Sequence, residues 1–193
     1  MNFWFTADPH FDHDNIIRLS KRPFSNVSQM NEALIDAYNA NVKPDDTLYI
    51  LGDFCWGNMD KIVYWREQIK CRNIIFFIGN HDRPITQAYD EGGARHPVLK
   101  KLFREVHWSR VKTINGQPIH IHHHPILEWD RFFHGSWHLF GHVHGNLNPM
   151  PGHLALDVGV DVHDYKPVSF DEVRGIMDNR RKFNAKDGKE FVK

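Results

Sequence analysis

The sequence has few cysteines, no excess of charge and no long apolar run. Its two cysteines are too few for a disulfide scaffold and lack zinc-finger spacing, which fits a reducing compartment. Lysine plus arginine and aspartate plus glutamate both total 24, which argues against a long duplex nucleic acid as partner. No charged leader precedes an apolar run, and no apolar stretch approaches the roughly 18 to 20 residues that span a bilayer. These absences predict a cytoplasmic protein without a membrane partner.

The chain also lacks internal repeats, low-complexity tracts and Pro/Gly/Ser-rich linkers. Its 193 residues are enough for one hydrophobic core, so we expect residues 1–193 to form a single domain. Histidine, in contrast, is abundant, with 15 copies. Neutral imidazole is the commonest metal ligand and a ready acid or base near neutral pH. The positions of the histidines therefore bear most directly on function.

Short apolar runs predict the strands of the fold. These runs are residues 2–7, 47–51, 73–78, 106–114, 117–121 and 137–140. Asn115-Gly116 separates the fourth run from the fifth and is a strong hairpin signal. The alternation of early strands with helical segments, followed by a hairpin-rich second half, predicts a layered α/β fold with a mixed sheet.

Three segments have the spacing of helices. Met30, Leu34 and Tyr38 recur at helical spacing, with Ser28 as the predicted N-cap. A second helix is predicted around residues 59–69. Ser169 and Glu172 have capping-box spacing, which predicts a final helix beginning near Ser169.

Five of the predicted strands end in polar side chains that can bind metals. These side chains are Asp8 with His10, Asp53, Asn80 with His81, His122 to His124, and His142 with His144. Sites in layered α/β proteins gather beyond the carboxyl ends of strands, so ligands distant in sequence can converge there. Glycines precede three of these ligands and permit close backbone approach. They are Gly52, Gly79 and Gly141.

The chemical types of these side chains predict which metals bind. Carboxylate, amide and imidazole ligands together suit manganese, iron, zinc or nickel, whereas an all-oxygen set would favour magnesium or calcium. At least seven candidates are present, more than the four that close a structural zinc site, which predicts two metals that share a ligand. Two such ions can activate a water and hold both oxygens of a displacement at phosphorus. The sequence therefore predicts hydrolysis of phosphate esters.

The motifs D-x-H, G-D, G-N-H-[DE], a separate histidine and G-H-x-H occur in that order between Asp8 and His144. Each motif is weak alone, but the ordered set closely resembles the calcineurin-like metallophosphoesterases. The small bacterial and phage members are most similar, because the residues after the first motif and Lys166-Pro167-Val168-Ser169 also match them. The resemblance implies a two-sheet β-sandwich flanked by helices, a four-layer α/β/β/α fold.

The resemblance also implies a role for each motif residue. One metal would be held by Asp8, His10, Asp53 and His144. Asp53 would bridge to a second metal, which Asn80, His142 and one histidine of the triplet complete. That histidine would be His123, two residues before Pro125, with His122 as the alternative. The cofactor would be two divalent transition-metal ions, with manganese favoured over iron, zinc or nickel.

For catalysis, the resemblance implies a metal-bound hydroxide as nucleophile. His81 would face the phosphate and act on the leaving oxygen, with Asp82 fixing the tautomer of its imidazole. Arg83 could bind the substrate phosphate. His13 belongs to no metal motif and is either a pocket residue that binds substrate or a helix cap.

The expected partner is a small phosphate-ester substrate. The lack of an arginine cluster near the motifs favours phosphodiesters, such as small or cyclic nucleotides, over dianionic monoesters. A phosphomonoesterase is the alternative enzyme. The non-enzymatic alternative is a metal-binding scaffold of the same fold. Such scaffolds usually lack some of the metal ligands or replace the histidine of G-N-H, and this sequence retains both.

Overall fold

The computed structural model describes residues 1–147 and 153–186 of the chain. The strands of this part are β1 (Phe3–Thr6), β2 (Thr47–Leu51), β3 (Asn73–Phe77), β4 (Glu105–His107), β5 (Ser109–Ile114), β6 (Gln117–His122), β7 (Trp137–Phe140), β8 (Ala155–Asp157) and β9 (Val168–Ser169). They form a five-stranded sheet in the order β4-β3-β2-β1-β9 and a four-stranded sheet in the order β5-β6-β7-β8.

Strands β1 to β4 run parallel in the first sheet, and β9 pairs antiparallel with β1. In the second sheet, β5 and β6 form an antiparallel hairpin, while β6, β7 and β8 are parallel. A bridge between Ala7 and Gly159 joins the carboxyl end of β1 to the chain that follows β8. The carboxyl ends of parallel strands from both sheets therefore meet at one edge of the sandwich.

The helices are α1 (Asp14–Leu19), α2 (Val27–Asn41), α3 (Met59–Gln68), α4 (Arg83–Gly92), α5 (Pro97–Leu102) and α6 (Phe170–Lys186). Strand β2 is buried along its whole length because its two faces pack on different layers. Tyr49 and Leu51 face the core between the sheets, and Leu48 and Ile50 face a core with helices α2 to α5. The predicted α/β fold, a two-sheet β-sandwich flanked by helices, is confirmed.

Side-chain caps mark the beginnings of α2 and α6. Asn26, and not the predicted Ser28, caps α2, since its side-chain oxygen accepts a hydrogen bond from the Gln29 N–H at 2.9 Å. The predicted capping box is present at α6, where Ser169 Oγ accepts from the Glu172 N–H at 3.2 Å and the Ser169 N–H donates to Glu172 Oε2 at 2.8 Å. None of the helices in residues 1–147 and 153–186 is long and apolar enough to cross a membrane.

Residues 106–114, predicted as one strand, are divided between two sheets. Strand β4 pairs with β3, and β5 pairs with β6, so the chain changes sheets at Trp108. The hydrogen-bonding partners separate the two strands, and the partner of β4 lies far away in the chain. The predicted hairpin turn is confirmed, because Asn115 and Gly116 both have positive φ, of 48° and 81°.

Candidate metal centre

The edge where the strands end brings the predicted metal ligands together. Ligand atoms lie within 4.8 Å of one another in three overlapping groups, which are Asp8, His10 and His144; Asp8, Asp53 and His123; and His123, His124 and His142. Asn80 joins them, since its Oδ1 is 3.0 Å from His123 Nε2. All seven predicted metal ligands therefore lie in one cluster, called the ligand cluster below.

Asp53 lies between the two ends of this cluster. Its Oδ2 is 3.6 Å from His10 Nε2 on one side and 3.5 Å from His123 Nε2 on the other. Burial opposes ionisation of Asp53, but the hydrogen bond and charge of His123 and the charge of His10 outweigh burial and hold its pKa below the usual value. A carboxylate that stays charged between two sets of imidazoles is suited to bridge two cations.

The backbone of the ligand cluster is unusual. Five predicted ligands have left-handed φ values, between 49° and 71°, and they are Asp8, His10, Asp53, His142 and His144. Left-handed backbone is uncommon outside glycine and concentrates at functional sites, where the surrounding structure holds the strain. Each of these residues lies where the chain has just left a strand and turns. The turn directs the side chain inward.

Among the residues that the structure describes, two buried ligand atoms have no hydrogen-bond partner, namely Asp8 Oδ1 and His10 Nε2. Burial raises the pKa of Asp8 to about 7 and lowers the pKa of His10 well below its usual value. Buried polar atoms are nearly always paired, and an unpaired one calls for an ion or a water. A neutral imidazole and an unpartnered carboxylate oxygen are suitable ligands for a divalent cation, so the residues fit the predicted metals.

Strand alternation decides which histidine of the triplet enters the ligand cluster. His123 continues the buried face of Ile119 and Ile121 and is itself fully buried. Its Nδ1–H donates to the Leu51 carbonyl oxygen at 2.7 Å, which leaves Nε2 directed at Asn80. His122 points away, and its Nδ1 accepts from the His124 N–H at 3.1 Å. The structure thus brings His123, and not His122, to the other predicted ligands.

His124 is not among the predicted ligands, although it is the last residue of the histidine triplet 122–124. Its ring centroid is 4.3 Å from that of His142. Burial and the neighbouring histidines lower its pKa to about 4, so the imidazole is neutral and able to bind a cation.

The glycines before the ligands allow close packing of three loops, as predicted. A Cβ on Gly52 would lie 2.6 Å from His123 Nδ1 and 2.7 Å from the Gly79 Cα. A Cβ on Gly141 would lie 2.5 Å from Asp8 Oδ2. Since real Cβ atoms do not approach so closely, these positions exclude any side chain.

The predicted pairing of Asp82 with the His81 imidazole is wrong. The buried Asp82 carboxylate accepts hydrogen bonds from three backbone N–H groups, those of Asp53 at 2.8 Å, Phe54 at 2.9 Å and Gly79 at 2.7 Å. A carboxylate beneath two tight loops satisfies the backbone donors that those loops leave unpaired. Burial and the adjacent Asp53 raise its pKa to about 7. Asp82 therefore ties the Asp53 loop to the Asn80 loop.

The His81 side chain is exposed at the mouth of the ligand cluster. Its ring centroid is 5.6 Å from that of His10 and 5.6 Å from that of Trp56. Its backbone N–H donates to Asp53 Oδ1 at 2.8 Å. The imidazole thus lies beside the ligands without entering the three groups of ligand atoms.

His13 is a helix cap, and its predicted role in substrate binding stays a prediction. Its Nδ1 accepts from the Ile16 N–H at 3.2 Å, which caps α1, and its ring centroid lies 4.3 Å from that of Trp56. Arg83 is exposed at the start of α4 and lines a groove with Met59 and Gln87. No hydrogen bond or ion pair in the described ranges links Arg83 to a predicted ligand, so the structure does not bring it to the cluster.

Sequence reasoning missed two residues beside the cluster, Arg22 and Asp161. Asp161 Oδ2 accepts from His144 Nδ1 at 2.7 Å, and Arg22 binds both oxygens of Asp161. The two residues are 139 positions apart and belong to no motif, so no local pattern could have indicated their contact.

This two-sheet sandwich flanked by helices, with the ligand cluster at its strand ends, is the fold that the resemblance to the calcineurin-like metallophosphoesterases implies. The chain is 33% identical over 177 residues to the uncharacterized protein MJ1445 of Methanocaldococcus jannaschii, covering 87% of this chain and 86% of that protein. It belongs to the same family as that protein.

Two further proteins are similar to this chain, one at lower sequence identity and one over a shorter segment. The crystal structure of AQ665 from Aquifex aeolicus, a protein of unknown function, matches with a TM-score of 0.70 and 25% identity, over 91% of this chain and 98% of that one. The gene 66 protein of Mycobacterium phage L5 is 30% identical over 86 residues, 43% of this chain and 41% of that protein. No family model matches the chain. None of the three names states an activity.

Proposed function

We propose that this protein is a phosphoester hydrolase that uses two divalent metal ions and prefers phosphodiesters of the small nucleotide or cyclic nucleotide type. The observation that supports it most is the position of Asp53 Oδ2, 3.6 Å from His10 Nε2 and 3.5 Å from His123 Nε2. A charged carboxylate between two sets of ligands is what a pair of cations requires, since it offsets their mutual repulsion. In sequence, the likeness to a phage protein agrees with a small phage-type member of the superfamily.

Each ion would have its own set of ligands around the shared Asp53. One set is Asp8, His10 and His144, and the other is Asn80, His123 and His142, with His124 adjacent to it. When bound, two such ions supply an activated water and stabilise charge on the phosphoryl oxygens. His81, at the mouth of the cluster, would act on the leaving oxygen.

Removal of the metals should abolish hydrolysis. We expect purified protein to be inactive after chelation and to recover more activity with manganese than with magnesium, because imidazoles are better ligands for manganese. The assay would compare bis(nitrophenyl) phosphate with nitrophenyl phosphate, so that it also separates diesterase from monoesterase activity. Full hydrolysis in excess chelator would contradict the metal dependence. Tight manganese binding without turnover of either ester would favour the alternative that the protein is a non-catalytic metal-binding scaffold.

Two observations favour diesters that carry a flat group. Across residues 1–147 and 153–186, the only arginine or lysine side chain with a hydrogen bond or ion pair to a predicted ligand is that of Arg22, which bonds the Asp8 carbonyl oxygen. A dianionic monoester would need a further cation.

The second observation is the exposed ring of Trp56. Trp56 is 49% exposed, and its ring lies beside those of His13 and His81. This exposed indole offers a surface on which a nucleobase could stack.

Trp56→Ala should weaken binding of nucleotide esters selectively. Stacking of a base on an aromatic side chain contributes about 1 to 3 kcal/mol, so we expect KM for a cyclic nucleotide to rise roughly 5- to 150-fold. The KM for a dialkyl phosphate should change much less. Trp108→Ala is the matched control, because Trp108 is 43% exposed but contacts Tyr89 instead of the cluster. An equal loss on both substrates would refute the stacking role.

A further inference from the structure

Arg22 is a buried cation that belongs to none of the motifs. Its side chain is 0% exposed. Burial of a guanidinium is unfavourable unless all of its donors are paired. A fully buried arginine next to a candidate metal site therefore needs an explanation from its partners.

All five N–H donors of Arg22 have acceptors. Nε and Nη2 bind the two oxygens of Asp161, each at 2.8 Å, in a bidentate pair. Nη2 also donates to the Asp8 carbonyl oxygen at 2.8 Å, and Nη1 donates to the Pro9 carbonyl oxygen at 2.9 Å and to Met30 Sδ at 3.3 Å. Only a planar, forked guanidinium can make this set of contacts at once. Arg22 thus fixes the backbone of Asp8 and Pro9, next to His10.

Asp161 extends this contact to a ligand on another loop. Its Oδ2 accepts from His144 Nδ1 at 2.7 Å, which sets the tautomer and the ring orientation of His144 and leaves Nε2 free to bind a cation. Arg22 and Asp161 therefore connect the loop of Asp8 and His10 with His144, and these three form one of the groups of ligand atoms.

Different contacts hold the ligands at the other end of the cluster. His123 is held by a hydrogen bond to the Leu51 carbonyl oxygen, and its Nε2 faces Asn80. In the described ranges, no hydrogen bond joins Arg22 or Asp161 to His123, Asn80 or His142. Asp8 Oδ2 accepts a hydrogen bond from the His142 N–H at 2.8 Å, but Arg22 and Asp161 themselves contact residues of only one of the two proposed metal sites.

We propose that Arg22 and Asp161 are positioning residues that set the affinity of the metal site formed by Asp8, His10 and His144, while the site around Asn80, His123 and His142 is independent of them. The inference rests on the proposed function only in assuming that the cluster holds two metals. A purely structural ion pair would affect stability and leave the affinities of both sites equal to those of the wild type.

The test measures binding of manganese alone to the metal-free protein, by calorimetric titration and elemental analysis. Asp161→Asn keeps the shape of the side chain and removes its charge, and Arg22→Lys keeps the charge and removes the fork. In each variant we expect one site to bind about 10- to 100-fold more weakly and the other to keep its affinity. The double variant should lose less than the sum of the two single losses, because the two residues share the Arg22–Asp161 contact.

Arg66→Lys is the matched control. Arg66 also donates to three backbone carbonyl oxygens, those of Leu102, Ile69 and Cys71, but lies away from the cluster. This control should lower the unfolding temperature and leave both manganese affinities unchanged. If either Asp161→Asn or Arg22→Lys fails to fold, the other variant still provides the comparison.

Wild-type affinity at both sites in Asp161→Asn or Arg22→Lys would overturn the proposal, as would equal weakening of the two sites. A wild-type protein that binds no manganese would overturn it together with the proposed function. A protein that binds two manganese ions and hydrolyses no phosphate ester would refute only the proposed function, and weakening of one site in the variants would still support the positioning role.

Discussion

Asp53→Asn is expected to release metal from both ends of the ligand cluster and to lower phosphoester hydrolysis by roughly 10³-fold or more, since metal ions supply several kcal/mol of transition-state stabilisation. The asparagine has the same size and can still accept the hydrogen bond that the His81 N–H donates to Asp53 Oδ1 at 2.8 Å. What it lacks is the negative charge between His10 and His123. Without that charge, the repulsion between two cations is no longer offset.

The measurement is metal content per chain after loading with manganese, together with turnover of a nitrophenyl diester. Asp53→Ala should lose metal to at least the same degree. Asp12→Asn is the matched control, because Asp12 lies on the loop after β1, as Asp53 lies on the loop after β2, but pairs with Lys61 at 3.0 Å and with Asn31. It should keep both ions. If Asp53→Asn retained two ions per chain with normal affinity, Asp53 would not be the bridge.

His81→Ala is expected to lower kcat by about 10² to 10⁴-fold while both metals stay bound. The His81 ring lies beside His10 and Trp56 at the open side of the cluster, and its neighbour Asn80 contacts His123. The backbone N–H of residue 81, which bonds Asp53, survives the substitution. Loss of the imidazole should therefore remove a proton donor or a charge-stabilising hydrogen bond at the leaving oxygen and leave the ligands in place.

Substrates with different leaving groups test this assignment. A nitrophenolate needs little protonation as it departs, whereas an alkoxide needs much, so the loss in His81→Ala should be smaller for the nitrophenyl ester. His134→Ala, which removes an exposed histidine outside the cluster, should behave like the wild type. Near-normal turnover of an alkyl ester by His81→Ala would rule out the role, and so would the loss of a metal ion.

Local sequence patterns predicted the elements that present the ligands. The predicted bounds 47–51 and 137–140 match β2 and β7, and the Asn115-Gly116 turn and the Ser169 capping box are present as predicted. Strand, turn and cap signals depend on neighbouring residues, so they can be read from a short window. The division of residues 106–114 between two sheets could not be read in this way, because the choice of strand partner is a long-range property.

The site shows the same division. The order and spacing of D-x-H, G-D, G-N-H-D and G-H-x-H by themselves determined which residues meet, since each motif ends a strand and parallel strands bring such ends to one edge. Only the tertiary structure decided that His123 and not His122 faces Asn80, that Asp82 binds backbone N–H groups instead of His81, and that Arg22 reaches Asp161. The physical reason is that each of these is a hydrogen bond between loops far apart in the chain, and its partners are set by how the two sheets pack.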